Sequence, residues 1–210
     1  MFIFIYSRLI VPNLLTMLYN ELKQLYLTNN LSVSKIAVLF KCSENKINYW
    51  LKKYNIPKRS ISEAVYLKHN PKGDPFKVRD PANLDEAVLF GIGLGLYWGE
   101  GTKSNKASIR LGNTNPRIVV KFIDFLVKIY GIRKEKIKFG LQIFSDMKPA
   151  RVMEYWIREL RASPSQFQKI VITPSRGIGN YRQKTKYGVL TVYYHNKKLR
   201  DILCNTLEKL

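Results

Sequence analysis

Cysteine, histidine and acidic residues are scarce in this chain of 210 residues. The two cysteines, Cys42 and Cys204, stand far apart, each inside an apolar periodic segment. They make neither a disulfide framework nor a metal-ligand pair, so a reducing, cytoplasmic setting is expected. Two histidines, His69 and His195, are too few for a His-rich zinc centre and argue against a Ser-His-Asp triad. Long uncharged runs are also missing. The opening MFIFIYSRLIVPNLL is broken by Ser7, Arg8, Pro12 and Asn13, short of the roughly 20 apolar residues that cross a bilayer. It lacks the basic start and small-residue cleavage site of a leader. Residues 1–16 are read as an extension ahead of Met17.

Acid is the shortage with the largest consequence. Against 36 Lys+Arg stand 15 Asp+Glu, a formal net charge of +21. With 46% apolar and 12% aromatic residues the chain can bury a core, so the charge belongs to a folded surface and not to a disordered tail. Such a field draws polyanions, nucleic acid first and an anionic membrane second.

From Leu15 to Asn29 the apolar residues Leu15, Leu18, Tyr19, Leu22, Leu25 and Tyr26 recur at the period of one helix face. Asn29 and Asn30 stop that helix. Ser32 then caps a second helix carrying Ile36, Ala37 and Phe40, and Ser43 a third carrying Ile47, Trp50 and Leu51. The small Ala37 suits a close crossing of two helices, and Lys41 stands where the turn of a helix-turn-helix usually has glycine. The segment SVSKIAVLFKCSENKINYWLKKYNIPKRS resembles the DNA-binding helix-turn-helix of recombinases and homing-endonuclease accessory domains. The resemblance puts Ser43, Glu44, Asn45, Lys46, Asn48, Tyr49, Lys52 and Lys53 on or beside the outward face of a recognition helix. Asn45 and Asn48 suit adenine, which a carboxamide can pair bidentately, while Lys52, Lys53, Lys58 and Arg59 suit phosphates. The alternative is a three-helix bundle with a solvated basic face.

Residues 61–83 follow as a short helical stretch and then a region crowded with Pro71, Gly73, Pro75 and Pro81. Lys68, Lys72, Lys77 and Arg79 keep it basic. It is read as the linker, either tracking the phosphate backbone or simply solvated.

Asn83 with Glu86 three residues on forms a capping box that opens the helix LDEAVLFGIGLGLYWGEG. Gly91, Gly95 and Gly99 recur every four residues on one face, with Gly93 nearby, and each glycine costs a helix about 1 kcal/mol against alanine. Close packing against another helix would recover that loss. The run is too short for a transmembrane dimer helix, and its spacing fits neither a dinucleotide loop nor a phosphate loop. It presents Glu100 at the helix C-terminus, where the dipole disfavours a carboxylate and a metal ion could offset the cost.

The run GLGLYWGEG, residues 93–101, resembles the LAGLIDADG motif of homing endonucleases, with Gly95 and Gly99 on its small packing positions and Glu100 on its final acid. The motif's earlier Asp is Trp98 here. Downstream, ASIRLGNTN, KIKFGLQIF, FQKIVIT and YGVLTVYY read as strands, and NPRIVVKFIDFLVKIYG, PARVMEYWIREL and NKKLRDILCNTLEKL as helices. In KIKFGLQIF, Ile137, Phe139, Leu141 and Ile143 share one face and Lys136, Lys138 and Gln142 the other, a surface suited to something anionic. The family uses such a saddle in the DNA major groove. The chain is thus expected to be α+β, with a small all-α helix-turn-helix domain (17–60), the linker (61–83) and a LAGLIDADG-like mixed saddle domain (84–210).

The resemblance implies a site-specific, Mg²⁺-dependent endonuclease of double-stranded DNA. One motif helix supplies one Glu100 and the Gly99 carbonyl for a metal, so a homodimer pairing along Gly91, Gly95 and Gly99 is expected. Lys148, in the turn SDMKP, and Gln142 are the candidates to tune the attacking water, with Asn113, Lys103 and Asp146 behind them. Arg110, Lys103, Lys136 and Lys138, and Arg176, Arg182, Lys184 and Lys186 of the loop SRGIGNYRQKTKYG, are candidate DNA contacts. Tyr155, Trp156, Tyr193 and Tyr194 are read as core. The rival readings are a non-catalytic DNA-binding regulator with the same fold, and a ribosome-associated or RNA-splicing protein.

Overall fold

The computed structural model describes residues 18–175 and 185–209, in two compact units, Met1–Asp74 and Pro75–Leu210. The division lies inside the stretch read as a linker. That stretch is more structured than its composition suggests: it holds a helix, Ile61–His69, and Phe76, which is buried in the core of the second unit.

In the first unit a helix over residues 18–28, here α1, ends in a turn of π geometry, Gln24–Thr28. It is followed by α2 (Val33–Leu39), α3 (Glu44–Lys53) and α4 (Ile61–His69). Ser32 and Ser43 cap as the sequence predicts, accepting from the backbone N–H of Lys35 at 3.2 Å and of Lys46 at 3.3 Å. Leu22, Tyr26, Ile36, Ala37, Ile47, Leu51 and Ile56 form the core. Between α2 and α3 the chain turns through Lys41 at φ +48°. Cys42 N–H donates to the Ala37 carbonyl and Lys41 N–H to that of Val38, the pair of bonds that closes a helix on a left-handed residue. Lys41 therefore bears the side-chain strain that glycine avoids at this position, roughly 1–2 kcal/mol.

In the second unit α5 (Leu84–Glu100) starts at Asn83, whose side chain accepts from Glu86 N–H at 2.9 Å. Only that half of the expected capping box forms. The Glu86 carboxylate instead takes Arg79 through two bonds, 2.6 and 2.8 Å, and Ala82 N–H at 2.8 Å, which together hold its carboxyl down at about 2. Then come β1 (Ile109–Asn113), α6 (Pro116–Tyr130), β2 (Lys138–Phe144), α7 (Pro149–Leu160), β3 (Val171–Thr173), β4 (Val189–Tyr194) and α8 (Lys197–Leu207). The sheet order is β1-β4-β2-β3, with β4 antiparallel to both neighbours and β3 parallel to β2. Between α5 and α6 there is one strand; a second is reduced to a bridge of Gly101 with Leu111, continued by Thr102 N–H to the Arg110 carbonyl at 3.0 Å.

Alternation makes the sheet two-faced. Ile109, Leu111, Phe139, Leu141, Ile143, Leu190, Val192 and Tyr194 are buried in one cluster with residues of all four helices. Helix α6 is its hub, burying Val119, Phe122, Ile123, Phe125, Leu126, Ile129 and Tyr130. Tyr97 of α5 stacks on Phe122 with ring centroids 6.1 Å apart. Next to it Gly93 meets the Phe125 ring so closely that a Cβ would lie 2.1 Å from it, whereas a Cβ at Gly91, Gly95 or Gly99 would meet nothing within 4 Å. The four glycines thus divide between two faces. Gly93→Ala should destabilise the second unit by about 1–3 kcal/mol or more through overpacking. Gly91→Ala should stabilise it by up to about 1 kcal/mol through helix propensity. Urea unfolding at low protein concentration checks both, and equal effects of the two would contradict the assignment of faces.

Candidate nucleic-acid interface and carboxylate site

On α3 the residues Ser43, Asn45, Lys46, Tyr49, Lys52 and Lys53 are exposed. The buried pair Ile47 and Leu51 fixes the opposite side, so the helix leaves a polar and basic face open. Lys46 lies over the Trp50 ring, 5.2 Å from its centroid, and Lys53 over Tyr49 at 5.9 Å. Two residues depart from the expected role. Asn48 is half-buried, its Oδ1 shut off from solvent and without a donor among the described residues, so Asn45 is the open carboxamide. Arg59 is committed internally. Its guanidinium lies 4.1 Å from the Tyr26 ring centroid and donates to the carbonyls of Tyr26, Leu31 at 3.0 Å and Asn30 at 3.2 Å, and its N–H bonds Tyr26 Oη at 2.9 Å. It closes the C-terminal end of α1, where a cation is favoured, and is not a free phosphate contact.

The second surface is the outer face of the sheet. Arg110, Tyr193 and Lys138 align across β1, β4 and β2, followed by the row Gly112, Thr191 and Gly140, and then by Val189 and Gln142. No carboxylate stands in these rows, and Lys136 is exposed just before β2. Lys138 donates to the Ser165 carbonyl at 3.0 Å, and Gln142 to Thr173 Oγ1 at 3.0 Å. Lys186 is exposed, over the Tyr187 ring at 5.6 Å. Arg176, Arg182 and Lys184 lie outside the described residues, as does the extension 1–16. Tyr194 and Trp156 are core, but Tyr193 is on the outer face, against the sequence reading. The phase set by Leu190 and Val192 in LTVYY carried that signal.

The third feature is the end of α5. Leu84, Val88, Ile92 and Trp98 are exposed along with Gly91, Gly95, Gly99 and Glu100, an apolar helix face without cover among the described residues. The turn after Glu100 is pinned from several sides. Lys103 Nζ donates to the carbonyls of Tyr97 and Trp98, and Arg200 Nη2 to the Lys103 carbonyl. Lys103 thus places its charge on the negative end of the helix beside Glu100, offsetting the dipole that a lone carboxylate would meet there. Beneath this turn the phenol of Tyr97 is buried and takes no hydrogen-bond partner among the described residues. Burial pushes its pKa up, with Cys204 adding to the shift and Arg200 opposing it.

Among the described residues no group of three His, Cys, Asp or Glu converges. Among them the end of α5 offers Glu100 and the Gly99 carbonyl, short of a closed metal centre. Nor do Gln142 and Lys148 join Glu100: the strand order puts Gly101 three inter-strand spacings, roughly 14 Å, from β2, and Lys148 caps α7 beyond the end of β2. Asn113 ends β1, where its Oδ1 accepts from Asn115 N–H at 2.8 Å. No described helix is long and apolar enough to cross a membrane. No family model, curated protein or solved structure matches the chain.

Lys52→Ala and Lys53→Ala should each lower the slope of log affinity for duplex DNA against log salt by about one and leave stability unchanged. Arg59→Ala should keep the slope and destabilise the first unit by about 1–3 kcal/mol. Salt titrations paired with urea unfolding check this, and the opposite pattern would make Arg59 a phosphate contact.

Proposed function

We propose that the chain is a site-specific endonuclease of double-stranded DNA that works as a homodimer. In this reading the first unit is a helix-turn-helix reading one stretch of duplex through α3, and the outer sheet face is the saddle of a LAGLIDADG-like domain lying on another. The observation that carries the reading is the form of α5: an uncovered glycine and apolar face running the length of the helix, with an exposed carboxylate at its end. Pairing two such faces brings backbones together as only glycine permits, and brings two copies of Glu100 toward one axis.

Mg²⁺ suits the oxygen donors on offer, the Glu100 carboxylate and the Gly99 carbonyl, only when two chains contribute them. Bound there, it would supply charge stabilisation for a phosphodiester and an acidified water. The protein's own part is positional. Lys103 and Arg200 fix the turn that carries Glu100, and the basic faces hold the duplex across it. Lys148 and Gln142 stand beyond β4 from Glu100 of the same chain and take the role of DNA contacts.

One observation favours a second reading. Among the described residues Glu100 belongs to no group of three His, Cys, Asp or Glu that could hold a metal, as in a DNA-binding regulator that keeps the fold without the chemistry. Cleavage of a randomised duplex library by the full chain separates the two, with Mg²⁺, with Ca²⁺, and with Glu100→Gln. The endonuclease cuts with Mg²⁺ and loses at least about a hundredfold in rate with Glu100→Gln. Selective binding without cutting under any metal supports the regulator and rejects the enzyme.

A further inference from the structure

On the outer face of the sheet one cation is held differently from the rest. Arg110 is half-buried, its Nε donates to Ser108 Oγ at 2.9 Å, and its guanidinium lies over the Tyr193 ring, 5.2 Å from the centroid. Each support is itself supported. Ser108 is fully buried, and its N–H and hydroxyl both donate to Asn105 Oδ1 at 3.0 Å, leaving the lone pairs of the hydroxyl for Arg110. Tyr193 lies across Gly140, where a Cβ would stand 2.8 Å from the ring, and His195 stacks beside it at 6.1 Å with 11° between planes. The cation facing Tyr193 from β2, Lys138, is tied to the Ser165 carbonyl. Among the described residues Nη1 and Nη2 of Arg110 take no protein acceptor and make no ion pair, so both remain for a ligand.

We propose that Arg110 is a specificity-determining residue that reads a guanine in the major groove of duplex DNA through its two terminal nitrogens. This rests on the DNA-binding reading given above. A guanidinium whose Nε is tied and whose plane is set by an aromatic ring offers two donors in a fixed fork, and guanine offers two coplanar acceptors, O6 and N7, to match it. A phosphate needs no such fixed plane. The unbranched lysines Lys136 and Lys138 supply charge on this face without one. The place of Arg110 also fits base reading, because Tyr193 belongs to the inner strand β4 and the next row carries only the light Gly112 and Thr191 beside the Gly140 that the Tyr193 ring covers, which lets a groove floor approach.

The test uses the full chain and duplexes selected from a randomised library, with Arg110→Ala and Arg110→Lys beside the wild type. The expected result is one guanine in each half-site at which Arg110→Ala relaxes selection, with affinity for the selected duplex falling roughly 5- to 150-fold. Arg110→Lys keeps the salt dependence but loses most of that selectivity. At the same position 7-deazaguanine, which lacks N7, weakens the wild type and leaves Arg110→Ala unchanged, while inosine, which keeps O6 and N7, is tolerated by both. Uniform weakening over all sequences with a salt slope reduced by about one would make Arg110 a phosphate contact and overturn the proposal. An unchanged affinity would overturn it as well. If the wild type selects no duplex, the proposed function falls and this assignment with it. If it selects duplexes but Arg110 changes no single position, only this assignment falls.

Discussion

The second unit depends on how closely α5 can be approached. On its inner side Gly93 lets the Phe125 ring rest against the helix backbone, and Tyr97 stacks on Phe122 one turn later. Those contacts seat α6, which in turn covers the sheet. Because the inner side is settled by Gly93 and Tyr97, the phase of the helix is fixed, and Gly91, Gly95 and Gly99 fall on the side that none of the described residues covers. A helix that gives up roughly 1 kcal/mol at each such glycine recovers it only when something packs there. The same phase leaves Glu100 exposed at the helix end and Gly101 in contact with Tyr97, so packing, open face and carboxylate follow from one geometric choice.

Charge is separated as clearly as packing. The inner face of the sheet is apolar but for Asn113 at the end of β1, and the outer face carries Arg110 and Lys138 and no acid in its strand rows. Several cations are nevertheless used internally before any ligand arrives. Arg59 closes α1, Lys103 closes α5, Arg200 ties the turn after Glu100, and Arg79 holds Glu86. In each case a cation serves carbonyls or a carboxylate at a helix end, where the macrodipole favours it at the C-terminus and favours its acidic partner at the N-terminus. The net charge of the chain therefore overstates what is free to meet an anion.

Much of this was legible in the sequence because period and capping are local. Ser32 and Ser43 announce their helices, Ala37 its crossing, and Ile137 to Ile143 the buried phase of β2, and all behave as read. The order of strands and helices after Glu100 was legible for the same reason. What required the structure was long-range. Arg59 and Lys52 look alike in a basic run, and only the position of α1 distinguishes them. Gly93 cannot be told from its neighbours until Phe125 is placed against it. The distance between Glu100 and Gln142 depends on β4 inserting between β1 and β2, a pairing no local pattern encodes. Tyr193 could have been assigned outward from its strand phase; the core residue Tyr194 directly after it obscured it.

The exposed face of α5 is tested most directly by sedimentation velocity of the full chain, alone and with duplex DNA. Wild type should sediment as a dimer over a range of concentrations. Gly95→Leu, at a position where an added Cβ meets nothing within 4 Å among the described residues, should sediment as a folded monomer with an unchanged or higher unfolding midpoint. A wild type that stays monomeric at every concentration, on DNA as well as off it, would contradict the pairing of two Glu100-bearing helices on which the proposed activity depends.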